Sequence, residues 1–184
     1  VKRMLAFSSV SHAGYLVLGV LVLNSVGLSA VLFYLVVYSA MNLGAFAILL
    51  LVEKDGKGLN FKDYRGFATQ HPWMAVAMAV FMISLAGFPP TGGFIAKYGL
   101  LSSAVAEGYI WLVVIAVLNT LVSAYYYLRL IVNMYMQEEK DISHPVSGVL
   151  VLGLIGFLAV IVLTLGITPE FLLNITTEAA TTAF

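Results

Sequence analysis

Five long apolar stretches follow one another along the chain, separated by shorter polar segments. They cover about residues 4–23, 28–52, 73–106, 109–136 and 146–167. A bilayer core about 30 Å thick needs roughly 20 apolar residues in a helix, so each stretch is long enough to cross it. The pattern predicts an all-α polytopic membrane protein with five transmembrane helices. The tail turns rich in Thr and Ala, and residues 168–184 are predicted to fray.

The third stretch is too long for one straight helix, since about 34 residues would span about 50 Å. It is also interrupted between Gly87 and Gly93 by Gly-Phe-Pro-Pro-Thr-Gly-Gly. Pro89 and Pro90 remove two amide donors, and the glycines, Gly92 included, do not favour helix. Backbone groups freed at membrane depth need protein or water as partners. The third helix is therefore predicted to be discontinuous at Gly87–Gly93, as in many ion transporters. A simple proline kink is the alternative.

The basic residues fall on one side of the predicted membrane. With five spans, the N-terminus and the two polar loops, 53–72 and 137–145, share a side. That side holds Lys2, Arg3, Lys54, Lys57, Lys62, Arg65, Arg129 and Lys140. The other side holds two short turns and the tail, with Glu107, Glu170 and Glu178. The positive-inside rule predicts cytoplasmic loops and an external C-terminus.

Composition supports a lipid environment and excludes several kinds of site. Of the 184 residues, 61% are hydrophobic and 10% are charged, against about 25% charged in soluble domains. The net charge is zero and there is no basic run, so no nucleic-acid partner is predicted. The chain has no cysteine, and its three histidines lie far apart in sequence. We therefore predict no metal site and no cofactor in this chain.

Lys97 is the ninth basic residue, and it lies on neither side. About ten residues, or about 15 Å of helix, separate it from Glu107, which places it near the bilayer middle. A lysine there costs at least about 2.5–3.5 kcal/mol and cannot snorkel to either surface. Such a residue suits a proton relay. The alternative is a structural lysine bonded to the opened backbone at Pro89–Gly93.

A polar stripe accompanies His12 in the first span. Ser8, His12 and Tyr15 share one helix face, because they are spaced at i, i+4 and i+7. Histidine titrates near neutral pH and suits a proton wire; the alternative is a hydrogen-bonding strut.

Other polar side chains lie inside later spans. Tyr38 and Asn42 are i,i+4 neighbours and are predicted to support the relay, although interhelical hydrogen bonding would also explain them. Tyr125–Tyr127 are predicted to belong to an interfacial aromatic belt.

Several motifs resemble the antiporter-like membrane subunits of respiratory complex I. They are Lys2–Ser9 with His12-Ala13-Gly14-Tyr15, Tyr34–Tyr38 with Met41–Phe46, Ser84–Lys97, and Ser123–Arg129. Lys97 stands where the sister subunit M has glutamate, and His12 stands where subunit L tends to have glutamine. The combination is similar to the subunit N family of NADH:quinone oxidoreductase. Phe7 departs from that family, which often has tyrosine there.

The resemblance implies a proton-translocating subunit without a redox site of its own. It implies that Lys97 is the terminal protonatable residue of a chain of charges and that His12 belongs to the same hydrophilic axis. The family has 14 helices, so residues 1–184 would be the C-terminal part, about helices 10–14. The chain begins with Val1, which fits a piece of a longer protein. The implied partners are the bilayer of a bacterial inner membrane and other membrane subunits of complex I.

Two rival functions stay open at this point. One is a subunit of a multi-subunit sodium/proton antiporter, since these exchangers are related. The other is a structural membrane scaffold, for which replacing Lys97 by methionine would be neutral or stabilising.

Overall fold

The described part of the chain is almost entirely helical. The computed structural model describes residues 1–54, 58–138 and 148–182. The α-helices within these ranges are α1 (Lys2–Leu21), α2 (Ser25–Val52), α3 (Phe67–Gln70), α4 (Pro72–Ala86), α5 (Gly92–Ala106), α6 (Ile110–Met136), α7 (Val149–Ile167) and α8 (Glu170–Thr181). The prediction of an all-α chain is confirmed.

Four helices of the described residues are long and apolar enough to cross a membrane, namely α1, α2, α6 and α7. By contrast, α4 and α5 have 15 residues each, so each is about 22 Å long. That is shorter than a bilayer core of about 30 Å. The start predicted for the last span, Val146, lies outside the described residues, as do Lys57 and Lys140.

Two contacts define the ends of the bundle. At one end Lys2, which begins α1, forms an ion pair of 3.6 Å with Glu53, which follows α2. At the other end the Asn24 amide, in the α1–α2 turn, donates to Glu107 after α5 at 2.8 Å. We call the first the loop end and the second the turn end. The segment before α4 also lies at the loop end, where the amino group of Val1 donates to the carbonyl of Leu59, and α5 ends just before Glu107. Helices α4 and α5 therefore follow one another between the loop end and the turn end.

Helix α2 is the centre of the bundle and packs against α1, α4, α5, α7 and α8. Half of its 28 residues are buried, among them Phe33, Tyr34, Val37, Met41 and Ile48, whereas Leu43 and Leu50 are exposed on the opposite face. Gly44 lets α4 approach closely, because a Cβ there would meet the ring of Phe81 at 2.2 Å. Burial on this scale in a helix without a polar stripe is typical of a membrane core rather than of a surface helix.

Helices α6 and α7 are apolar and yet largely exposed. Trp111, Leu121 and Val122 of α6 all expose more than 60% of their surface, as do Leu150 and Phe157 of α7. A soluble protein would not leave two long apolar faces in water. These faces fit lipid or further membrane helices.

The polar segment before α4 is folded against the loop end. A short 3-10 helix, Phe61–Tyr64, leads into α3, and the Gly66 amide donates to the carbonyl of Asn133 in α6 at 3.2 Å. Burial lowers the pKa of His71, the residue before α4. Its imidazole is therefore neutral at pH 7, which suits a position at the positive end of a helix dipole.

The tail departs from the prediction of fraying over residues 168–184. Residues Glu170–Thr181 form helix α8, which packs on α2. Thr176 and Ala180, one turn apart, are buried on the side of α8 that packs on α2. The Ser29 hydroxyl of α2 forms hydrogen bonds with the hydroxyls of Thr176 at 3.2 Å and Thr177 at 3.0 Å. Small and hydroxyl side chains allow close helix contact in membranes. The composition that suggested fraying is thus a packing surface.

Candidate functional site

His12 is the centre of a buried hydrogen-bonded cluster. Its Nδ1 lies 2.6 Å from the hydroxyl of Tyr34, and its Nε2 lies 3.3 Å from the hydroxyl of Tyr127. The Tyr127 hydroxyl also bonds the Ser8 hydroxyl, and the Tyr38 ring stacks on the imidazole at 4.7 Å. A neutral imidazole donates from one nitrogen and accepts at the other. Each tyrosine hydroxyl can take the complementary role, so the cluster can reverse its hydrogen bonds.

The predicted stripe on α1 faces into the bundle. Ser8, His12 and Tyr15 are each at most 3% exposed. Their common face meets α2, which supplies Tyr34 and Tyr38 one turn apart, and α6, which supplies Tyr127. Polar side chains on three helices therefore satisfy one another inside an apolar bundle, as buried polar groups must.

Lys97 binds the end of the preceding helix. Its Nζ donates to the carbonyls of Leu85 at 2.9 Å and Ala86 at 3.1 Å, and the residue is only 5% exposed. These carbonyls belong to the last turn of α4, so they accept no hydrogen bond within their own helix. A cation at a helix C-terminus is also favoured by the dipole. The structural alternative placed these partners at Pro89–Gly93, whereas the structure places them just before the break.

Two glycines make this arrangement possible. Gly87 ends α4 with a left-handed backbone, φ +87°, and a Cβ there would lie 2.9 Å from Cδ of Lys97. Gly93, in the first turn of α5, lies directly against α4, and its amide donates to Ser84 Oγ at 3.0 Å. A Cβ at this position would lie 1.9 Å from the Ser84 carbonyl oxygen. The turn through Pro89 and Pro90 thus brings the two half-helices into direct contact.

Tyr15 lies between Lys97 and the histidine cluster. The Lys97 Nζ lies 5.1 Å from the centre of the Tyr15 ring, and the ring centres of Tyr15 and His12 are 6.1 Å apart. The Tyr15 hydroxyl donates to the carbonyl of Ala116 at 2.9 Å and pairs with Thr120 Oγ1 at 2.5 Å, both on α6. The two predicted relay residues are therefore joined through one aromatic side chain.

An open groove between α1 and α6 reaches Tyr15. Its volume is about 430 Å³, and its lining is mostly aliphatic, with Ser11, Tyr15 and Asn119 as the polar contributors. In the described residues, no three His, Asp or Glu side chains are grouped as metal ligands.

Sequence reasoning placed most of the cluster but missed two members. Tyr34 was not assigned a role in the site, and Tyr127 was predicted to belong to an interfacial belt, yet both bond His12. Tyr127 shares a buried stripe of α6 with Ser123, Leu130 and Met134, and that spacing could have identified it. Asn42 lies half-buried one turn beyond Tyr38, and within the described residues it takes no part in the hydrogen-bonded cluster.

The groups brought together here are ones that can exchange protons. Imidazole, phenol and hydroxyl groups in hydrogen-bond contact can exchange protons, and an amine on carbonyl acceptors can hold or release one. Discontinuous helices with ionisable groups at mid-bundle are typical of ion-translocating membrane proteins. The fold and the site resemble those of that class.

Comparison with known proteins identifies the family. The model of the NADH:quinone oxidoreductase/Mrp antiporter transmembrane family matches residues 1–123. The chain belongs to this family, and the resemblance predicted from its motifs is confirmed.

Individual relatives agree with this assignment. NADH-quinone oxidoreductase subunit N of Trichlorobacter lovleyi is 46% identical over 97% of the chain. Respiratory complex I from Thermus thermophilus with bound aureothin has a chain that is 32% identical, with a TM-score of 0.85 over 95% of this chain. The Mrp complex from Dietzia sp. reaches the same TM-score at 25% identity over 96%. The chain spans only 37% of the Trichlorobacter relative, 39% of the Thermus chain and 41% of the Dietzia chain.

Proposed function

We propose that this chain forms the proton-translocating C-terminal region of a subunit N of NADH:quinone oxidoreductase. The observation that carries the proposal is the buried Lys97, bound to the end of α4 and linked through Tyr15 to His12. The similarity to proteins named subunit N supports the same reading. In this role the chain has no redox site of its own, and quinone reduction takes place elsewhere in the complex. Its partners are other membrane subunits of complex I.

The proposal includes a topology with five crossings. Helices α4 and α5 lie in series between the loop end and the turn end, so we count them as one discontinuous crossing, broken at Gly87–Gly93. Basic residues gather at the loop end, which the positive-inside rule makes cytoplasmic in a bacterial inner membrane. The turn end and α8 are then external.

A sodium/proton antiporter subunit is the rival within the same family. The fold does not separate the two, because the complex I and Mrp chains match with equal TM-scores. Sequence identity favours complex I, at 46% for a subunit N against 25% for the Mrp chain. Transport that depends on sodium and proceeds without NADH oxidation would select the antiporter.

Lys97→Ala and Lys97→Met in the full-length subunit test the function. In complex reconstituted into proteoliposomes, both should lower the protons pumped per NADH oxidised several-fold, because Lys97 is the amine that the described residues place at the end of α4. Assembly should persist, since methionine fills the same space. The control is Lys62→Met, which removes an exposed lysine at the loop end.

An unchanged pumping stoichiometry in both Lys97 variants would rule out the relay. If Lys97→Met instead leaves pumping intact and raises thermal stability, the residue belongs to a scaffold.

A further inference from the structure

Tyr15 contacts two ionisable side chains as well as two hydrogen-bonding groups of α6. Its ring faces the Lys97 ammonium on one side and the imidazole of His12 on another. Its hydroxyl is fixed to α6 by Ala116 and Thr120. Contacts with two other helices, α5 and α6, hold the ring of this α1 residue in one place, so its position relative to Lys97 is set by the fold.

The ring completes the surroundings of the Lys97 ammonium. An ammonium has three N–H donors. Two of them are taken by the carbonyls of Leu85 and Ala86. The Tyr15 ring centre lies 5.1 Å from Nζ, within the about 6 Å over which an aromatic face attracts a cation. Among the described residues, no carboxylate forms an ion pair with Lys97. The aromatic face therefore stands where a counter-ion would otherwise be needed.

Other ionisable groups around Lys97 are few. The helices packed against α5 are α1, α2, α4, α6 and α7. Of these, α1 presents His12 and Tyr15, α2 presents Tyr34 and Tyr38, and α6 presents Tyr126 and Tyr127 to the same interior. Neither α4 nor α7 contains a titratable side chain. The described ionisable groups that can influence the charge of Lys97 are therefore one imidazole and several phenols, one of which is Tyr15.

From this geometry we infer that Tyr15 is a positioning residue for proton transfer, whose aromatic face holds the charged form of Lys97 within reach of the His12 cluster. The inference rests on the proposed function and extends it to a residue that makes no proton transfer itself. When Lys97 loses its proton, the attraction to the ring ends while the ring stays tethered to α6. The ammonium and the neutral amine therefore differ in how firmly they are held beside the cluster.

The hydroxyl and the ring of Tyr15 can be tested separately. Tyr15→Phe removes only the hydroxyl, and the Ala116 carbonyl keeps the Thr120 hydroxyl as a donor at 3.0 Å. A trifluorinated phenylalanine at the same position keeps the shape but cancels the negative face of the ring. Tyr15→Leu removes the ring. Phe81→Leu is the packing control, because Phe81 is a fully buried ring that packs against Gly44.

The measurement is the pH profile of proton pumping by the full complex in proteoliposomes. Tyr15→Phe should keep the alkaline limb of the profile at the pH of the parent, because the attraction resides in the ring, and it is the reference for the other two variants. The trifluorinated residue and Tyr15→Leu should both move the alkaline limb to lower pH by roughly 0.5–1.5 units, the size of a desolvated cation–π contact. Phe81→Leu should leave the limb in place.

A trifluorinated variant with the same profile as Tyr15→Phe would overturn the inference. So would a profile for Tyr15→Leu that matches that of Phe81→Leu. The Lys97→Met variant shows whether a negative result for Tyr15 concerns only its positioning role or also the proposed function. If that variant abolishes pumping while the fluorinated ring has no effect, the relay stands and only the role of Tyr15 falls. If Lys97→Met pumps normally, the proposed function falls.

Discussion

Lys97 shows how the described residues can hold a cation inside an apolar bundle with no carboxylate among them paired to it. Placing it near mid-membrane costs at least about 2.5–3.5 kcal/mol. Hydrogen bonds to a charged group contribute about 1.5–3 kcal/mol each, and Lys97 makes two to the end of α4. The opposing free energies are of similar size. A lysine held this way can change its charge without a large penalty in either state, which is what a relay requires.

The residues that were predicted and those that were missed differ in one respect. Ser8, His12 and Tyr15 follow from spacing within a single helix, so the sequence was sufficient to group them. Tyr34 and Tyr127 reach His12 from other helices. Helix pairing in a membrane depends on the shape of small and large side chains across the interface, and one sequence does not reveal which faces meet.

Tyr34→Phe tests the hydrogen bond at His12 Nδ1. The change leaves one imidazole nitrogen unpaired in a buried site, which should cost about 1–3 kcal/mol of stability. We expect a lower thermal unfolding midpoint of the complex and several-fold slower pumping. Tyr98→Phe is the matched control, because Tyr98 is 64% exposed and stacks on Phe94, away from the His12 cluster. Equal behaviour of the two variants would show that the Tyr34 hydroxyl has no part in the relay.

At the scale of elements, the composition of residues 87–93 predicts an interruption after α4. Two prolines and three glycines within seven residues exclude a continuous helix, and α4 ends at Ala86 before α5 begins at Gly92. The sequence did not reveal that α8 is folded. Its small and hydroxyl residues are informative only when the facing surface of α2 is known.

Gly93→Ala tests how closely the half-helices must approach. The new Cβ would lie 1.9 Å from a backbone oxygen of α4, so the backbone itself must move. We expect little or no assembled complex on native gels, or a loss of stability of about 3 kcal/mol or more, by comparison with overpacked cores. Gly156→Ala in α7 meets no atom within 4 Å and should assemble normally. Normal assembly of Gly93→Ala would mean that the break is loosely packed.

At the scale of the whole molecule, the distribution of charge predicts which end faces which compartment. Lys62 marks the loop end, and Glu178 lies on an exposed face of α8 at the turn end. The 184 residues contain no cysteine, so single Lys62→Cys and Glu178→Cys variants can be introduced into this region without removing others.

These two cysteines should react from opposite sides of the membrane. In intact cells a membrane-impermeant maleimide should label Glu178→Cys, and Lys62→Cys should label only in inverted vesicles. Each variant serves as the control for the other. Labelling of both from one side would contradict the five crossings, because an even number of crossings is then required between the two positions.

The joint between α4 and α5 has a mechanical consequence. The two half-helices share no continuous ladder of backbone hydrogen bonds, and Lys97 of α5 fastens itself to the last carbonyls of α4. The lysine side chain therefore connects the two short half-helices across the joint. In the proposed relay, loss of the Lys97 proton would weaken both hydrogen bonds, so the protonation of Lys97 and the stiffness of this joint would be coupled. A change in the stiffness of this joint would be transmitted to the helices that pack against α4 and α5.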